Sequence, residues 1–196
     1  MTVNFESEKL VLRLWRLLYQ TYTLFKTCED QIFEEHGLTT EQYGVLVAIK
    51  YLGEPVRISD VARWLERSTN SVSMIVDRMV KAGLVRRVRD KRDRRTVHVF
   101  STSKAETALK PATLAGLEFI QKIVSPLSSE DRRTFVSLLE ILKYGILDYG
   151  NRGVDREEMM ISEPEQEANL RKWLLQYALP STPDAKRRGG KKKKAI

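Results

Sequence analysis

Cysteine is almost missing from this chain. Cys28 stands alone among 196 residues, so no intrachain disulfide can staple the fold, and a reducing cytoplasm suits it. Histidine is as scarce. His36 and His98 lie far apart and form no zinc-ligand spacing with Cys28, so neither metal nor cofactor is expected. No run approaches the ~18–20 uncharged apolar residues of a membrane span. Glu6, Glu8 and Lys9 interrupt the first apolar segment, which argues against a signal peptide. No nucleophile–base pair and no phosphate-cradling glycine loop stands out, so an enzyme is not expected. What remains is a chain with 42% hydrophobic and 31% charged residues, enough to fill a core.

Charge is abundant and unevenly placed. The net charge is +8, yet the basic residues crowd into two short places on an otherwise mildly acidic protein. Residues 86–95 (RRVRDKRDRR) are the first, and residues 180–196, ending KRRGGKKKKAI, are the second. Such patches suit a polyanion, because each cation that meets a phosphate releases counterions. A membrane surface would attract them as well, so charge alone does not choose the partner.

Apolar residues recur every three or four positions from Glu8 to about Glu35, which predicts one long amphipathic helix closed by Gly37. Thr39 and Gln42 have capping-box spacing before a second helix that stops at Gly53 and Pro55. A third helix is predicted from Ile58 to Leu65. A polar connection, Glu66-Arg67-Ser68, leads to a fourth that buries Val72, Ile75, Val76, Met79 and Val80 and ends at Gly83. The period then changes to short β-branched runs, Leu84–Arg89 and Thr96–Phe100, which predict a two-stranded hairpin with a basic tip. Two strands are marginal in water, so this hairpin must lean on the helices.

Ser103 and Glu106, in capping-box spacing, open a helix to about Val124, with Pro111 setting an early bend or a late start. Ser129 is the expected N-cap of the next helix, whose apolar stripe runs from Phe135 to Leu147. Residues 151–168 read as an acidic linker. Glu165 to Leu179 predict a short amphipathic helix with Leu170, Trp173, Leu174 and Tyr177 on one side. The last dozen residues are too basic and glycine-rich to fold alone.

Helices two to four followed by a basic hairpin are the parts of a winged helix-turn-helix. The fold class expected is therefore mainly α, with a small β-hairpin wing and long flanking dimerisation helices. The divisions are 1–36 for the first dimerisation helix, 37–102 for the winged domain, 103–150 for the second pair of helices and 151–196 for linker, short helix and tail. The major groove of duplex DNA, about 12 Å wide, admits one helix whose first turn carries small polar side chains. Ser68, Thr69, Asn70, Ser71 and Ser73 supply them. Alone they are equally an N-cap followed by a solvated face. The hairpin tip adds Arg92, Arg94 and Arg95, long cations suited to the minor groove or to phosphates.

The sequence resembles the MarR family of bacterial and archaeal regulators over about residues 8–149. The matching pieces are Leu38–Tyr43, Ser59–Ala62, Ser68–Ser73, Val76–Arg87 and the wing Asp93-Arg94-Arg95. The last is similar to the family's Asp-x-Arg signature, which implies that Asp93 orients the wing and Arg95 enters the minor groove. The resemblance implies a homodimer whose first and last core helices interlock. Such a dimer would cover a pseudo-palindromic duplex site and mostly repress by covering promoters. It places Arg78 near phosphate, against a plain surface pair with Asp77. Arg57 and Arg67, at the ends of the third helix, read as phosphate contacts.

Many family members take a small aromatic or anionic effector in a crevice beside the dimer helices. Trp15, Tyr19, Tyr22 and Tyr43, with Phe25, are placed to line one or to be ordinary core. Trp15 stands where the peroxide-sensing branch carries its reactive cysteine, and Cys28 reads as a small hydrophobe on the inward stripe. The tail after residue 150 departs from the family pattern. It reads as a basic arm, as a helix docked on the partner that carries lysines to DNA, or as a solubilising end. The rival function is an architectural protein that binds duplex DNA without sequence preference.

Overall fold

Thr39 opens the winged lobe by the reciprocal cap its sequence announces. Its hydroxyl accepts from the Gln42 amide at 3.2 Å, and its own amide donates to Gln42 Oε1 at 3.1 Å. Before it runs α1 (Phe5–Glu34), and after it α2 (Thr40–Leu52), β1 (Val56–Arg57), α3 (Ile58–Trp64) and α4 (Thr69–Lys81). Then follow β2 (Val85–Arg89), β3 (Val97–Ser101), α5 (Ser103–Val124), α6 (Ser129–Tyr149) and α7 (Arg156–Ala178). The structure is a computed structural model and describes residues 5–90, 96–150 and 156–178. The fold is mainly α with a small antiparallel sheet, as the sequence predicts.

The sheet has three strands, in the order β1-β3-β2, rather than the two expected. Val56 and Arg57 pair with Val99 and His98, while β2 pairs with β3 from Val85↔Ser101 to Arg89↔Val97. A strand of two residues leaves no periodicity to read, so β1 was invisible in the sequence. It is the extra edge that a marginal hairpin needs. Gly83 turns α4 into β2 with φ +73°, a left-handed conformation that glycine adopts without steric cost. The Leu84 amide closes that turn on Met79 O at 2.9 Å.

The core lies within the lobe. Leu46 and Ile49 of α2, Val61 of α3, Val72, Val76 and Met79 of α4, and Val99 of β3 are fully buried. It takes in more than residues 37–102: Phe33 from the end of α1, Leu109 and Ala112 of α5, and Trp173 of α7 join it. Burying a side chain of that size contributes roughly 1.5–3 kcal/mol, so the flanking helices hold the lobe as well as leave it.

Three helix starts differ from expectation. Thr102, not Ser103, caps α5, accepting from the Ala105 amide at 3.3 Å and donating to Gly83 O at 2.7 Å. With Thr102 as the cap, Ala105 takes the third helical position, so Glu106 falls outside a capping box and pairs with Lys50 instead. Ser128, not Ser129, caps α6, in a reciprocal box with Asp131. The α7 helix begins at Arg156 instead of Glu165 and takes in Pro164. Glu and Met, good helix formers, fill the segment read as a linker, and packing of α7 on α2 anchors its far end. Pro111 sits inside α5 without dividing it.

Candidate nucleic-acid interface

Position along a helix decides what α4 presents. Each residue turns about 100°, so Val72, Ile75, Val76 and Met79 share the buried side. Asn70, Met74, Asp77 and Lys81 line the opposite, exposed side. Ser68 is the N-cap, its hydroxyl oxygen accepting from the Ser71 amide at 3.2 Å. Thr69 and Asn70 stand exposed in the first turn, whereas Ser71 and Ser73 are half-buried on its flanks. The polar group predicted for base reading thus separates: Thr69 and Asn70 face outward, while Ser68 has a structural task.

Ser73 is engaged as well. Arg87 of β2 donates from Nη2 to Ser73 Oγ at 3.1 Å and to Ser73 O at 3.2 Å, and its Nη1 lies 2.7 Å from Asp77 Oδ1. One guanidinium therefore joins the wing strand to the outer face of α4. It also neutralises the acidic group on that face, whose charge would repel phosphate. Asp77 thus pairs with Arg87 rather than with Arg78, the alternative the sequence left open.

Arg78 turns to Glu41 instead. Glu41 Oε1 takes Arg67 Nη1 at 2.9 Å, and Oε2 takes Arg78 Nη2 at 3.4 Å. Two of the three arginines expected at phosphates, Arg67 and Arg78, therefore share one carboxylate at the start of α2, each with donors of its five left over. Arg57 is exposed on β1, beside the wing. Glu66, in the α3–α4 connection, adopts φ +53°, a left-handed turn uncommon for a residue other than glycine.

The wing rises from its base with Arg86 stacked over Phe100 at 4.2 Å and His98 Nε2 3.2 Å from Asp90 Oδ2. Arg92, Asp93, Arg94 and Arg95 lie outside the described residues, as does the basic tail from residue 179 onward. Among the described residues, no group of three His, Cys, Asp or Glu could hold a metal ion, and no helix is long and apolar enough to cross a membrane.

The aromatic residues proposed for an effector crevice separate within one chain. Trp15, Tyr19 and Tyr22 are exposed on α1. Tyr43 belongs to the lobe, stacked on Phe33 with ring centroids 3.8 Å apart, and burial raises its phenol pKa. At 1.5 Å per residue, Trp15 lies about 27 Å along the helix from Phe33, so the four cannot line one crevice in a single subunit. Phe25 packs on Phe119 of α5, and Cys28 is half-buried.

Outside the lobe, apolar surface is uncovered. No residue of α6 is buried, and Leu138, Ile141 and Ile146 are 57%, 69% and 63% exposed. Leu10, Leu14, Leu17 and Leu18 are likewise exposed on the first half of α1.

Glu41, Arg87 and Met74 escaped sequence reasoning. Glu41 acts over 26 and 37 positions, a separation no local pattern reports. Arg87 was one arginine in a basic run. Met74 was legible from helical spacing alone, because it falls off the apolar stripe.

Comparison with known proteins agrees with this geometry. Residues 36–96 match the model of the MarR family. The HTH-type transcriptional regulator PecS of Dickeya dadantii is 25% identical over 112 residues, 56% of this chain and 68% of PecS. The transcriptional activatory protein BadR of Rhodopseudomonas palustris is 34% identical over 86 residues, 43% of this chain and 49% of BadR. The match thus spans about half the length of BadR. Among solved structures, the organohalide-sensing RdhR-CbdbA1625 regulator with bound 2,4-dichlorophenol superposes with TM-score 0.68 at 22% identity, covering 78% of this chain and 90% of that one. A mutant MarR from E. coli complexed with operator DNA superposes with TM-score 0.60 at 20% identity, covering 67% and 94%. At such identities the structural likeness is one of fold. These relatives and neighbours are transcription regulators rather than enzymes. The helix-turn-helix, the wing strands and the match to the MarR family model all fall on one lobe, so residues 36–96 form a lobe similar to that of the MarR family of winged-helix transcriptional regulators.

Proposed function

We propose that this chain is a homodimeric repressor that reads duplex DNA in the cytoplasm, with α4 in the major groove and the wing tip, Arg92 to Arg95, at the minor groove. One observation carries the reading: α4, whose exposed first turn holds Thr69 and Asn70 outward, is linked farther along, at Ser73 and Asp77, by Arg87 to a basic wing. Asn pairs with adenine through two hydrogen bonds, and Thr serves several bases. Arg57, Arg67 and Arg78 take flanking phosphates and set the register.

The dimer rests on the apolar faces of α1 and α6, which nothing among the described residues covers. Burying them against a second copy places two α4 helices on half-sites one turn of DNA apart, hence a pseudo-palindromic operator. Repression follows from covering a promoter. BadR bears the name of an activatory protein, and a reporter measured with and without this gene decides the sign. For an effector, a small aromatic or anionic molecule fits the exposed Trp15, Tyr19 and Tyr22 once a second subunit faces them. RdhR-CbdbA1625 holds such a phenol.

The test is competition. Labelled DNA from upstream of this protein's own gene is bound, then challenged with unlabelled random DNA and with itself. The expected result is at least ~10³-fold preference for the upstream sequence. Equal competition would mean an architectural protein without sequence preference.

A further inference from the structure

The exposed face of α4 holds one residue that phosphate binding does not explain. Met74 is 66% exposed, one helical turn beyond Asn70 and about 40° from it around the axis. It takes no part in the core formed by Val72, Ile75, Val76 and Met79. Its neighbours on that face, Asn70, Asp77 and Lys81, are polar or charged, so it is not the edge of an apolar patch. The uncovered dimer surfaces lie on other helices.

We propose that Met74 reads a thymine, by apolar contact of its thioether side chain with the C5-methyl group. The inference rests on the proposed placement of α4 in the major groove, and it adds the base class read there. Among the four base pairs, the major groove exposes donors and acceptors at every step but an apolar group only at thymine. An unbranched, polarisable side chain such as Met adapts its shape to a protruding methyl. Asn70 and Met74 are separated by four residues, about 6 Å of helix rise, against 3.4 Å per base step. Their targets therefore lie within about two steps of each other. Each half-site then contains an adenine contacted by Asn70 and a thymine contacted by Met74 close beside it. The arrangement also assigns the face: Arg87 silences Asp77 between them and Lys81, leaving a neutral centre for base contact with cations at its margins.

The experiment selects duplexes from a random-sequence pool with the full-length protein, then replaces each thymine of the winning duplex by deoxyuridine, which removes the methyl alone. Removal of one methyl contact is expected to weaken binding about fourfold at one position per half-site, and about fifteenfold when both half-sites are changed. Met74→Ala should bind the thymine duplex about as weakly as the unaltered protein binds the uridine one, and should not distinguish the two. Met74→Leu should retain most of the discrimination. Asn70→Ala should lose a different position and keep the uridine effect. An enriched duplex bound equally well with and without the methyls overturns the role of Met74 and leaves the groove placement standing. A pool that yields no enriched sequence overturns both.

Discussion

Arg87 Nη1 lies 2.7 Å from Asp77 Oδ1, so a single ion pair ties the wing strand to the outer face of α4. The pair is partly exposed, and such pairs contribute less than about 1 kcal/mol to stability. Its value is geometric. It links the two elements proposed to meet adjacent grooves. Arg87→Ala is therefore expected to leave the lobe folded, with a melting midpoint lowered by only a few degrees, while DNA affinity falls about tenfold. Arg87→Lys keeps the charge but not the two-pronged reach to Asp77 and Ser73, and should lie between. Fluorescence anisotropy on duplex DNA beside a thermal melt checks this; an unchanged affinity with a changed melt would make the pair purely structural.

Under the proposed function Glu41 competes with phosphate, because Arg67 and Arg78 both lean on it. Glu41→Gln should release both guanidinium groups. Affinity for duplex DNA at low salt should rise, and the slope of log affinity against log salt should steepen by about one. A loss of affinity would show instead that the carboxylate aims the two arginines.

The uncovered faces of α1 and α6 predict the oligomer. Leu139 and Ile146 are exposed on α6 and are not part of the lobe's core. Changing both to Asp should give a folded monomer by sedimentation and circular dichroism, with DNA binding reduced by orders of magnitude because one half-site remains. Persistence of the dimer would mean that α6 is not its interface.

Tyr177 links α7 to the lobe. It accepts from Trp173 Nε1 at 3.0 Å and donates to Glu106 Oε2 at 3.3 Å. Burial, reinforced by the nearby Glu106 carboxylate, raises its phenol above the ordinary value of 10.0. The neutral phenol is thus the form the folded state favours. Its contribution is complete below pH 10 and is lost as pH rises past that value toward the folded pKa. Trp173 fluorescence, read in a variant with Trp15 and Trp64 changed to Phe, should report undocking of α7 above pH 10. Tyr177→Phe should remove that dependence; a fluorescence change that survives this variant would point to a different titrating group.

The basic tail is tested by removal. Deleting residues 181–196, which carry seven basic residues and one acidic, should lower the magnitude of the salt slope if they lie on phosphates. An unchanged slope would leave them as a solubilising end.

Much of this was legible from local pattern. The apolar spacing of α1, α2, α4 and α6, the Thr39 cap and the change of period at Leu84 are effects of neighbours within a few residues, which sequence records directly. The Ser68–Ser73 cluster was legible as a group. It could not be resolved into outward and inward members until the Arg87 contact to Ser73 was seen. The two-residue β1, the early start of α7 and the Glu41 pairings were not legible, because each depends on a surface supplied by a distant part of the chain.

By itself, then, the sequence determined that a helix with a polar first turn precedes a basic hairpin, and that long amphipathic helices flank them. Those are the parts that carry the resemblance to the MarR family, whose model matches residues 36–96. Tertiary structure alone decided which of the polar side chains are engaged by distant parts of the chain. Thr69, Asn70 and Met74 project from α4 because Val72, Ile75, Val76 and Met79 are held by the core. Ser73 on the flank of α4 and Asp77 on its outer face are instead held by an arginine on another element. The physical reason is that periodicity fixes rotation about a helix axis, whereas an ion pair between strand and helix requires both to be placed in space.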